Sequence, residues 1–499
     1  MRAVLLTALL LGAVAPPVLA EAGWFEPGDT TLRTDLLLLN DAGVIRLPVN
    51  QWPIPRAAVR YAVENGKEHF ATNAAVSVAL ARVRARLGIP MADRDGGVAF
   101  DSALNVGEPG LLRDFDTLGR DDAELEGRVT YAKGERAEFS LNVAAVANPT
   151  DGDELRLDGT HATVQWGNWL FSAHQLDRWW GPGHEGSLIL SNNARPMPTL
   201  MVERATAQPF GNKYFGWLGP WRMTFGISQM ESHRLDIDSP LFMAWRVEFM
   251  PLNDLELGFS RTAQFCGEGL PCDSSSVVQM LAGHDNIGHN TTAATESGNQ
   301  MAGFDLRWNS PVGNWPYAIY SQYIGEDQSS YVPAKYIAQI GLEAWKPMVG
   351  GGILQLFTEY TTTTCSASTN RGPYYNTAYN QGRFNVEGYR YLGRVIGYTS
   401  DRDAENYSLG ATLTTAGGEF WSATARTSRL HRDNNLDARN TVASLPTDYQ
   451  ALELGWRGKF VGQPFSVDFG VESTELVHGG GDRDVHAFGF IRWTHEFAP

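Results

Sequence analysis

The segment Trp221-Arg-Met-Thr-Phe-Gly-Ile-Ser-Gln229 alternates apolar and polar residues along its whole length, and Met243-Ala-Trp-Arg-Val-Glu-Phe249 repeats the pattern. This period of two predicts β-strands with one apolar and one polar face. From about residue 98 the pattern recurs until the C-terminus, in segments that include 255–259, 304–308, 452–456, 465–469 and 485–497. The sequence therefore predicts an all-β structure for the larger part of the chain.

The polar faces of these segments carry full charges, which distinguish a membrane barrel from a soluble sandwich. The charged positions are Arg222, Arg246, Glu248, Asp305, Arg307, Arg457, Asp468 and Arg492. A large sandwich would leave many of these charges poorly solvated, and a charge facing lipid at the bilayer midplane costs about 2–4 kcal/mol. Aromatic residues also recur near the strand ends, as in the interfacial girdles of outer-membrane barrels. We predict a transmembrane β-barrel in the outer membrane, with antiparallel strands and the charges facing its lumen.

The number of strands follows less directly from the pattern. We count about nineteen candidate strands, but a single-chain bacterial barrel normally has an even number. Counting forward places the loops 177–199, 264–300 and 362–388 outside the cell. Counting back from the C-terminus, with 431–447 outside, contradicts this assignment somewhere between residues 361 and 416. The barrel is expected to have about 18 strands, within a range of about 16 to 20.

The first 97 residues lack the period-two alternation and contain a signal-peptide pattern followed by helical spacing. Residues 1–20 carry Arg2, an apolar run and Val18-Leu19-Ala20, which is typical of a cleaved secretory signal peptide. Residues 21–97 have helical spacing, with Asp29 or Thr30 as the first cap, Pro55 in the first turn of a second helix and Asn73 capping a third. We predict a small α-helical periplasmic domain or plug over 21–97, followed by the barrel over 98–499.

Charge and cysteine content limit the possible partners. The chain has 40 basic and 56 acidic residues, a formal net charge of −16, which argues against binding nucleic acid. Cys266, Cys272 and Cys365 lie in two loops, and an exported protein can form a disulfide. The sequence does not distinguish a bond between Cys266 and Cys272 from one that involves Cys365.

Residues 177–199 combine paired tryptophans, a Gly-Pro-Gly turn, two asparagines and an arginine. Flat apolar faces beside planar hydrogen-bonding groups suit a sugar ring. We predict glycan contacts from Arg178, Trp179, Trp180, Asn192, Asn193 and Arg195. The alternative is structural, an aromatic belt followed by a rigid turn that shapes the barrel wall.

Other motifs carry weaker predictions. Tyr374, Tyr375 and Tyr379 in the 362–388 loop suit either glycan stacking or a girdle. The 264–300 loop with His284, Asp285 and His289 lacks a metal-ligand spacing, and His184-Glu185 lacks the second histidine of a metalloprotease motif. The sequence has no Gly-x-Ser-x-Gly motif and no P-loop. We expect no cofactor, no metal and no enzymatic activity.

The order of several motifs resembles a known family. Arg178-Trp-Trp-Gly-Pro-Gly183, followed by Ser187-Leu-Ile-Leu-Ser-Asn-Asn-Ala-Arg-Pro196, is similar to the hallmark of the Wzi capsule-assembly family. Matching segments occur in the same order at 36–47, 52–53, 283–286, 298–305, 320–327 and 388–397. The resemblance implies a barrel of about 18 strands, a periplasmic helical bundle, an occluded lumen and a lectin-like role in attaching secreted capsular polysaccharide.

Two functions remain in competition. The first is a surface protein that attaches capsular or extracellular polysaccharide, most simply as a monomer in contact with outer-membrane lipid. The second is a sugar-selective porin or polysaccharide export channel, because a barrel of 16–18 strands leaves an aqueous channel unless something fills it. The N-terminal helical part distinguishes them, since a tightly docked plug favours attachment and a mobile gate favours transport. We favour polysaccharide attachment.

Overall fold

The computed structural model describes residues 22–497 apart from 89–94, 117, 135, 283–297, 311, 313–315, 327, 330, 331, 334, 368–371, 381–385, 434, 438 and 478–482. The predicted signal peptide and the histidines of the 264–300 loop lie outside these residues. The described part contains a closed antiparallel barrel of 18 strands, as predicted. Its first and last strands pair with each other, Phe100 opposite Phe497, so the two ends of the strand region close the barrel.

The barrel strands are numbered here in chain order. They are β1 (Asp95–Glu108), β2 (Ala123–Lys133), β3 (Ala137–Ala147), β4 (in two pieces, Leu155–Arg156 and His161–Trp166), β5 (Trp169–His174), β6 (Thr199–Arg204), β7 (Trp221–Gln229), β8 (Leu241–Phe249), β9 (Leu255–Phe265), β10 (Gly298–Asn309), β11 (Tyr317–Gly325), β12 (Lys335–Pro347), β13 (Ile353–Ala367), β14 (Glu405–Thr414), β15 (Phe420–Leu430), β16 (Thr447–Phe460), β17 (Gln463–Leu476) and β18 (Asp484–Phe497).

The helices are α1 (Thr30–Asp41), α2 (Arg56–Glu64), α3 (Ala74–Gly88) and α4 (Ser274–Ala282). The Asp29 side chain accepts a hydrogen bond from the Leu32 amide (3.1 Å), and Asn73 does the same for Val76 (3.0 Å), so both predicted caps are confirmed. Pro55 lies immediately before α2. None of the described helices is long and apolar enough to cross a membrane.

The strand count and the loop assignment are resolved between β13 and β14. The described residues there, 372–380 and 386–404, contribute no barrel strand, and Arg390–Tyr391 pairs with Arg394–Val395 only in a two-residue ladder. The extra strand that the pattern indicated is therefore part of a loop. The loops after β5, β9, β13 and β15 now all lie at the same end of the barrel, and short turns join the strands at most positions of the other end. In outer-membrane barrels the long-loop end faces outward and the short-turn end faces the periplasm.

The predicted inward charges form buried ion pairs. The Arg246 guanidinium donates two hydrogen bonds to the Asp305 carboxylate, at 2.5 and 2.8 Å, and the Arg222 guanidinium lies 3.0 Å from Glu248. Arg307 joins the wall to the helical part, because it pairs with Asp41 at the end of α1 (2.7 Å). All the charged positions predicted to face the lumen form an ion pair with a described residue. The prediction of inward charges is confirmed.

Cys266 and Cys272 lie in the segment after β9, whereas Cys365, which the sequence analysis placed in a loop, lies near the end of strand β13. Cys266 and Cys272 form a disulfide. Cys365 is buried and takes no part in that bond. The structure thus selects the local pairing from the alternatives left open by the sequence.

Candidate functional site

The loop 175–198 folds into the lumen and meets the N-terminal helical part there. Trp179 pairs with Trp52, and Trp180 with Gln51, in a two-residue antiparallel ladder. Both loop tryptophans are 0% exposed. The Trp179 ring lies edge-on against Phe115, with centroids 5.3 Å apart and planes at 90°, and Phe115 has the same relation to Trp52 at 5.4 Å. Three aromatic rings from distant parts of the chain therefore close the interface between loop and helical part.

Arg33 of α1 fixes the Gly-Pro-Gly turn of this loop. Its guanidinium donates to the carbonyl oxygens of Pro182 (2.8 Å) and Gly183 (2.7 Å), and lies 4.4 Å from the Phe115 ring centroid. A Cβ atom on Gly183 would lie 2.5 Å from the Gly186 carbonyl oxygen, so this position requires glycine because the backbone approaches itself closely. The Gly-Pro-Gly turn is therefore held against α1 of the N-terminal helical part, and its tight backbone path depends on Gly183.

Trp180 lies in an apolar cluster that fills the lumen near the long-loop end. This cluster includes Leu188, Ile189, Tyr379 and Tyr389. The Tyr379 hydroxyl donates to the Leu188 carbonyl oxygen, and the Tyr389 hydroxyl to that of Ile189, both at 2.8 Å. Because Tyr379 is fully buried, it belongs to this cluster and neither to a lipid-facing girdle nor to an exposed stacking surface.

The polar residues of the predicted site also have partners within the protein. Arg178 bonds to His174 (2.6 Å), Asn192 donates to the Asp114 carbonyl oxygen (3.1 Å), and Asn193 donates to the Val395 carbonyl oxygen (2.9 Å). Arg195 is surrounded by carboxylates at 2.8–3.0 Å, which belong to Asp151, Asp153 and Asp158. These neighbours raise the pKa of Arg195.

The structure thus brings the six predicted residues into one loop but buries all of them. The proposed stacking of Trp179 and Trp180 on sugars does not fit this conformation, since neither indole has an open face. The partners of these side chains are the backbone and side chains of this same protein. The tryptophans lie in the lumen against the helical part, and so do not form the aromatic belt of the structural alternative either.

His184 and Glu185 also take part in lumen packing. The His184 Nε2 atom lies 2.9 Å from Glu343 Oε2, and its ring stacks on Phe357 with centroids 4.3 Å apart. Glu185 pairs with Arg426 of β15. Beside them, between α1 and the loops, lies a cavity of about 40 Å³. At about 30 Å³ per water it holds one or two waters and no sugar ring. Within the described residues, no group of three or more potential metal ligands occurs.

Arg33 and Phe115 are the site residues that the sequence analysis missed. Arg33 and Asp35 interrupt the apolar run of α1, yet both are buried, as are the leucines that follow them. A helix with charges and leucines buried on every side is surrounded by protein. The sequence feature that could have predicted a helix inside the barrel is therefore the mixture of charged residues and consecutive leucines in Thr30–Asp41.

The described residues between β13 and β14, 372–380 and 386–404, cover this packing at the long-loop end, and we call them the roof. Their inner side includes Tyr379 and Tyr389 of the lumen cluster. Tyr374 and Tyr375 are half-buried there, and the Lys335 ammonium lies 5.3 Å from the Tyr374 ring centroid. Because Tyr374 packs against the lumen cluster, it lies inside the barrel mouth and not in a girdle. Arg394 is half-buried, and its guanidinium makes no hydrogen bond or ion pair with the described residues.

Comparison with known proteins gives this architecture a family. The family model described as capsule assembly protein Wzi matches residues 103–479. The chain belongs to the Wzi family. The resemblance noted in the ordered motifs is confirmed, and the protein is located in the outer membrane.

One Wzi-family structure and one curated relative support this assignment. The Escherichia coli outer-membrane protein Wzi, a carbohydrate-binding β-barrel involved in group 1 capsule assembly, superposes with a TM-score of 0.80 at 25% identity, over 96% of this chain and 100% of that one. A 55.8 kDa protein from the cps region of Klebsiella pneumoniae is 33% identical over 328 residues. The match spans 65% of this chain and 62% of the length of the Klebsiella protein.

Proposed function

We propose that this protein binds secreted capsular or extracellular polysaccharide on its outer surface and so attaches the polymer to the cell, as a monomer and without catalysis. The observation that carries the proposal is the filled lumen beneath the roof. The N-terminal helical part and the loop 175–198 meet inside the barrel through the Trp52–Trp179 ladder. A polymer can therefore contact the roof, whereas passage through the barrel would require this buried interface to separate.

The comparisons support the same proposal. The Escherichia coli relative is a carbohydrate-binding barrel involved in capsule assembly, and the Klebsiella relative comes from a cps region. A barrel that superposes along its whole length on a carbohydrate-binding protein is well suited to the same class of ligand. The porin or export-channel alternative has no comparable support among the described contacts.

The roof offers the chemistry for glycan contact. Tyr375 and Tyr374 provide partly exposed rings, which can stack on the apolar faces of sugars. The unpaired guanidinium of Arg394 can donate hydrogen bonds to hydroxyls or to a sugar carboxylate. Burial and the neighbouring Arg120 lower the pKa of Arg394, and Asp121 and Asp151 partly offset this effect without forming an ion pair with it. We assign an indirect role to the six buried residues of the 177–199 stretch. Asn193 donates to the Val395 carbonyl oxygen of the roof and Trp180 packs in the cluster beneath the roof, while the other four join this loop to the helical part and to neighbouring segments.

The test compares cell-associated with released polysaccharide at constant total output. We expect Arg394→Ala combined with Tyr375→Ala to shift polymer from cells to medium, by about fivefold for each contact worth about 1 kcal/mol. Tyr214→Ala is the matched control, because Tyr214 is 70% exposed at the opposite end of the barrel. Polymer recovered with wild-type protein should keep its chain length. A fall in total export with polymer retained inside the cell would replace attachment by transport, and shortened polymer would indicate an enzyme.

A further inference from the structure

The outer wall near the long-loop end carries a polar cavity that the glycan-attachment proposal does not use. Its volume is about 220 Å³, close to that of one monosaccharide unit. The residues around it belong to β15, β16 and β17, together with Arg483 just before β18. They are Thr427, Ser428, Arg429, Asp448, Tyr449, Gln450, Ser473, Glu475 and Arg483.

Strand register shows that the cavity lies on the outer face. Gln450 of β16 is opposite Thr427 of β15 and Ser473 of β17, which gives a first polar row across the wall. Asp448 is opposite Arg429 and Glu475, which gives a second row nearer the loops. One step toward the periplasm on the same face, the row contains Ala425, Leu452, Val471 and Ala487. Leu452 is exposed, as expected for a side chain that contacts lipid. The face therefore changes from apolar to polar between adjacent rows.

The height of this change can be measured along β17. Phe465, opposite Trp493, belongs to the aromatic residues at the short-turn rim, and Ser473 follows eight residues later. At about 3.4 Å per residue and a strand tilt of about 40°, Ser473 lies about 21 Å and Glu475 about 26 Å above that rim. The apolar band of an outer-membrane barrel is about 25 Å tall. The Ser473 row therefore lies just inside the outer edge of the apolar band and the Glu475 row just beyond it, so the two polar rows straddle the boundary with the headgroup layer.

The cavity has the chemistry of a sugar site. Arg483 donates to Gln450 Oε1 (2.7 Å) and to Ser473 Oγ (2.8 Å), which arranges three hydrogen-bonding groups around one point. Arg429 and Asp448 form a loose pair at 3.6 Å, with side chains 70% and 50% exposed. Carboxylates and amide oxygens accept hydrogen bonds from sugar hydroxyls, and guanidinium groups donate to sugar or phosphate oxygens. The cavity has no net charge, because its two arginines and two carboxylates cancel, so sugar hydroxyl groups suit it better than a bare anion.

We propose that this cavity binds the saccharide headgroup of an outer-leaflet glycolipid. The cavity opens sideways into the headgroup layer, directly above side chains that contact acyl chains. An amphiphile can place its headgroup in the cavity and its acyl chains against the apolar surface below. A water-soluble polymer on the roof would contact neither the cavity nor that surface. The site would couple the barrel to the glycolipid around it, and it does not depend on the glycan-attachment proposal.

The test is native mass spectrometry of the delipidated, full-length barrel in detergent, titrated with a rough-type lipopolysaccharide that retains lipid A and the inner core sugars. Phosphatidylglycerol serves as an anionic lipid without sugars. We expect Gln450→Ala combined with Arg483→Ala to weaken glycolipid retention about threefold to fivefold, as for the loss of exposed polar contacts. Lys346→Ala is the control, because it removes an exposed cation from the opposite rim of the wall and should leave retention unchanged.

Heat-modifiable electrophoretic mobility establishes that each variant is a folded barrel. The proposal is overturned if the folded double variant retains glycolipid as the wild type does. It is also overturned if phosphatidylglycerol competes equally with the glycolipid. If the double variant loses soluble polysaccharide but keeps the glycolipid, the cavity belongs to the polymer.

Discussion

Replacing Arg33 with methionine should loosen the contact between α1 and the loop 175–198. The substitution keeps an apolar stem but removes both donors to the carbonyl oxygens of Pro182 and Gly183. A buried acceptor left without a donor costs about 1–3 kcal/mol, so two acceptors give about 2–6 kcal/mol. The adjacent cavity of about 40 Å³ can admit a water to one of them, which places the expected loss near the lower end, at about 2–3 kcal/mol.

The assay is the rate at which proteinase K cleaves the N-terminal segment while the barrel remains intact. A loss of about 2–3 kcal/mol raises the population of the undocked state about 30-fold to 160-fold, and cleavage follows that population when redocking is fast. Arg84→Gln is the control, because the pair of Arg84 with Glu68 is exposed at 45% and 60% and contributes at most about 1 kcal/mol. If Arg33→Met resists proteinase K as well as the wild type does, the Arg33 contacts do not hold the plug.

Three further perturbations test other parts of the structure. Gly183→Ala places a Cβ 2.5 Å from the Gly186 carbonyl oxygen and should give a less stable barrel in urea titration, whereas unchanged stability would mean that the turn relaxes freely. Arg195→Met removes the cation from Asp153 and Asp158, while Asp151 keeps its pair with Arg156, and should raise proteolysis of residues 148–160, so an unchanged cleavage pattern would contradict the role given to Arg195. Burial raises the pKa of Asp403 to about 7 from an ordinary value of 3.8, so the folded state holds a proton that the unfolded chain releases between these values. The free energy of unfolding should therefore fall as pH rises from 4 to 7, by up to about 1.4 kcal/mol per pH unit. Asp403→Asn should flatten that slope in urea titrations. An equal slope in both proteins would contradict the raised pKa of Asp403.

The barrel could be predicted from the sequence because the alternation of inward and outward side chains along a strand depends only on neighbouring residues. Inside and outside alternate at every residue of a strand, so Arg222 and Arg246 among aromatic neighbours indicated a charged lumen without knowledge of their partners. The caps at Asp29 and Asn73 are equally local, since each depends on residues within one helical turn. The count of about nineteen strands, with its conflict between residues 361 and 416, reflects the limit of the same method, because short-range alternation does not separate a barrel strand from a two-residue ladder such as the one at Arg390–Tyr391.

The predicted site could not be placed in the same way, because its partners are distant in sequence. Trp179 pairs with Trp52, which lies more than one hundred residues earlier, and Arg33 reaches carbonyl groups about 150 residues away. Composition identifies rings and planar donors, but it does not distinguish a sugar from the protein's own plug as their partner. Arg394 lies in the family-like segment 388–397, but that resemblance gave no role to this arginine, which is distinguished only by its surroundings in the structure.

A barrel of 18 strands with an empty lumen would be a hole in the permeability barrier of the cell, and each additional copy would increase the leak. The plug and the loop that fill this lumen remove that limit on abundance. A cell can then display the protein densely, and a polymer with many repeats can engage many copies at once, so avidity replaces affinity. Under the proposed attachment, contacts as modest as one tyrosine and one arginine per copy would be sufficient on such a surface. The buried interface that the sequence suggested as a sugar site would then contribute by keeping a dense array of barrels closed.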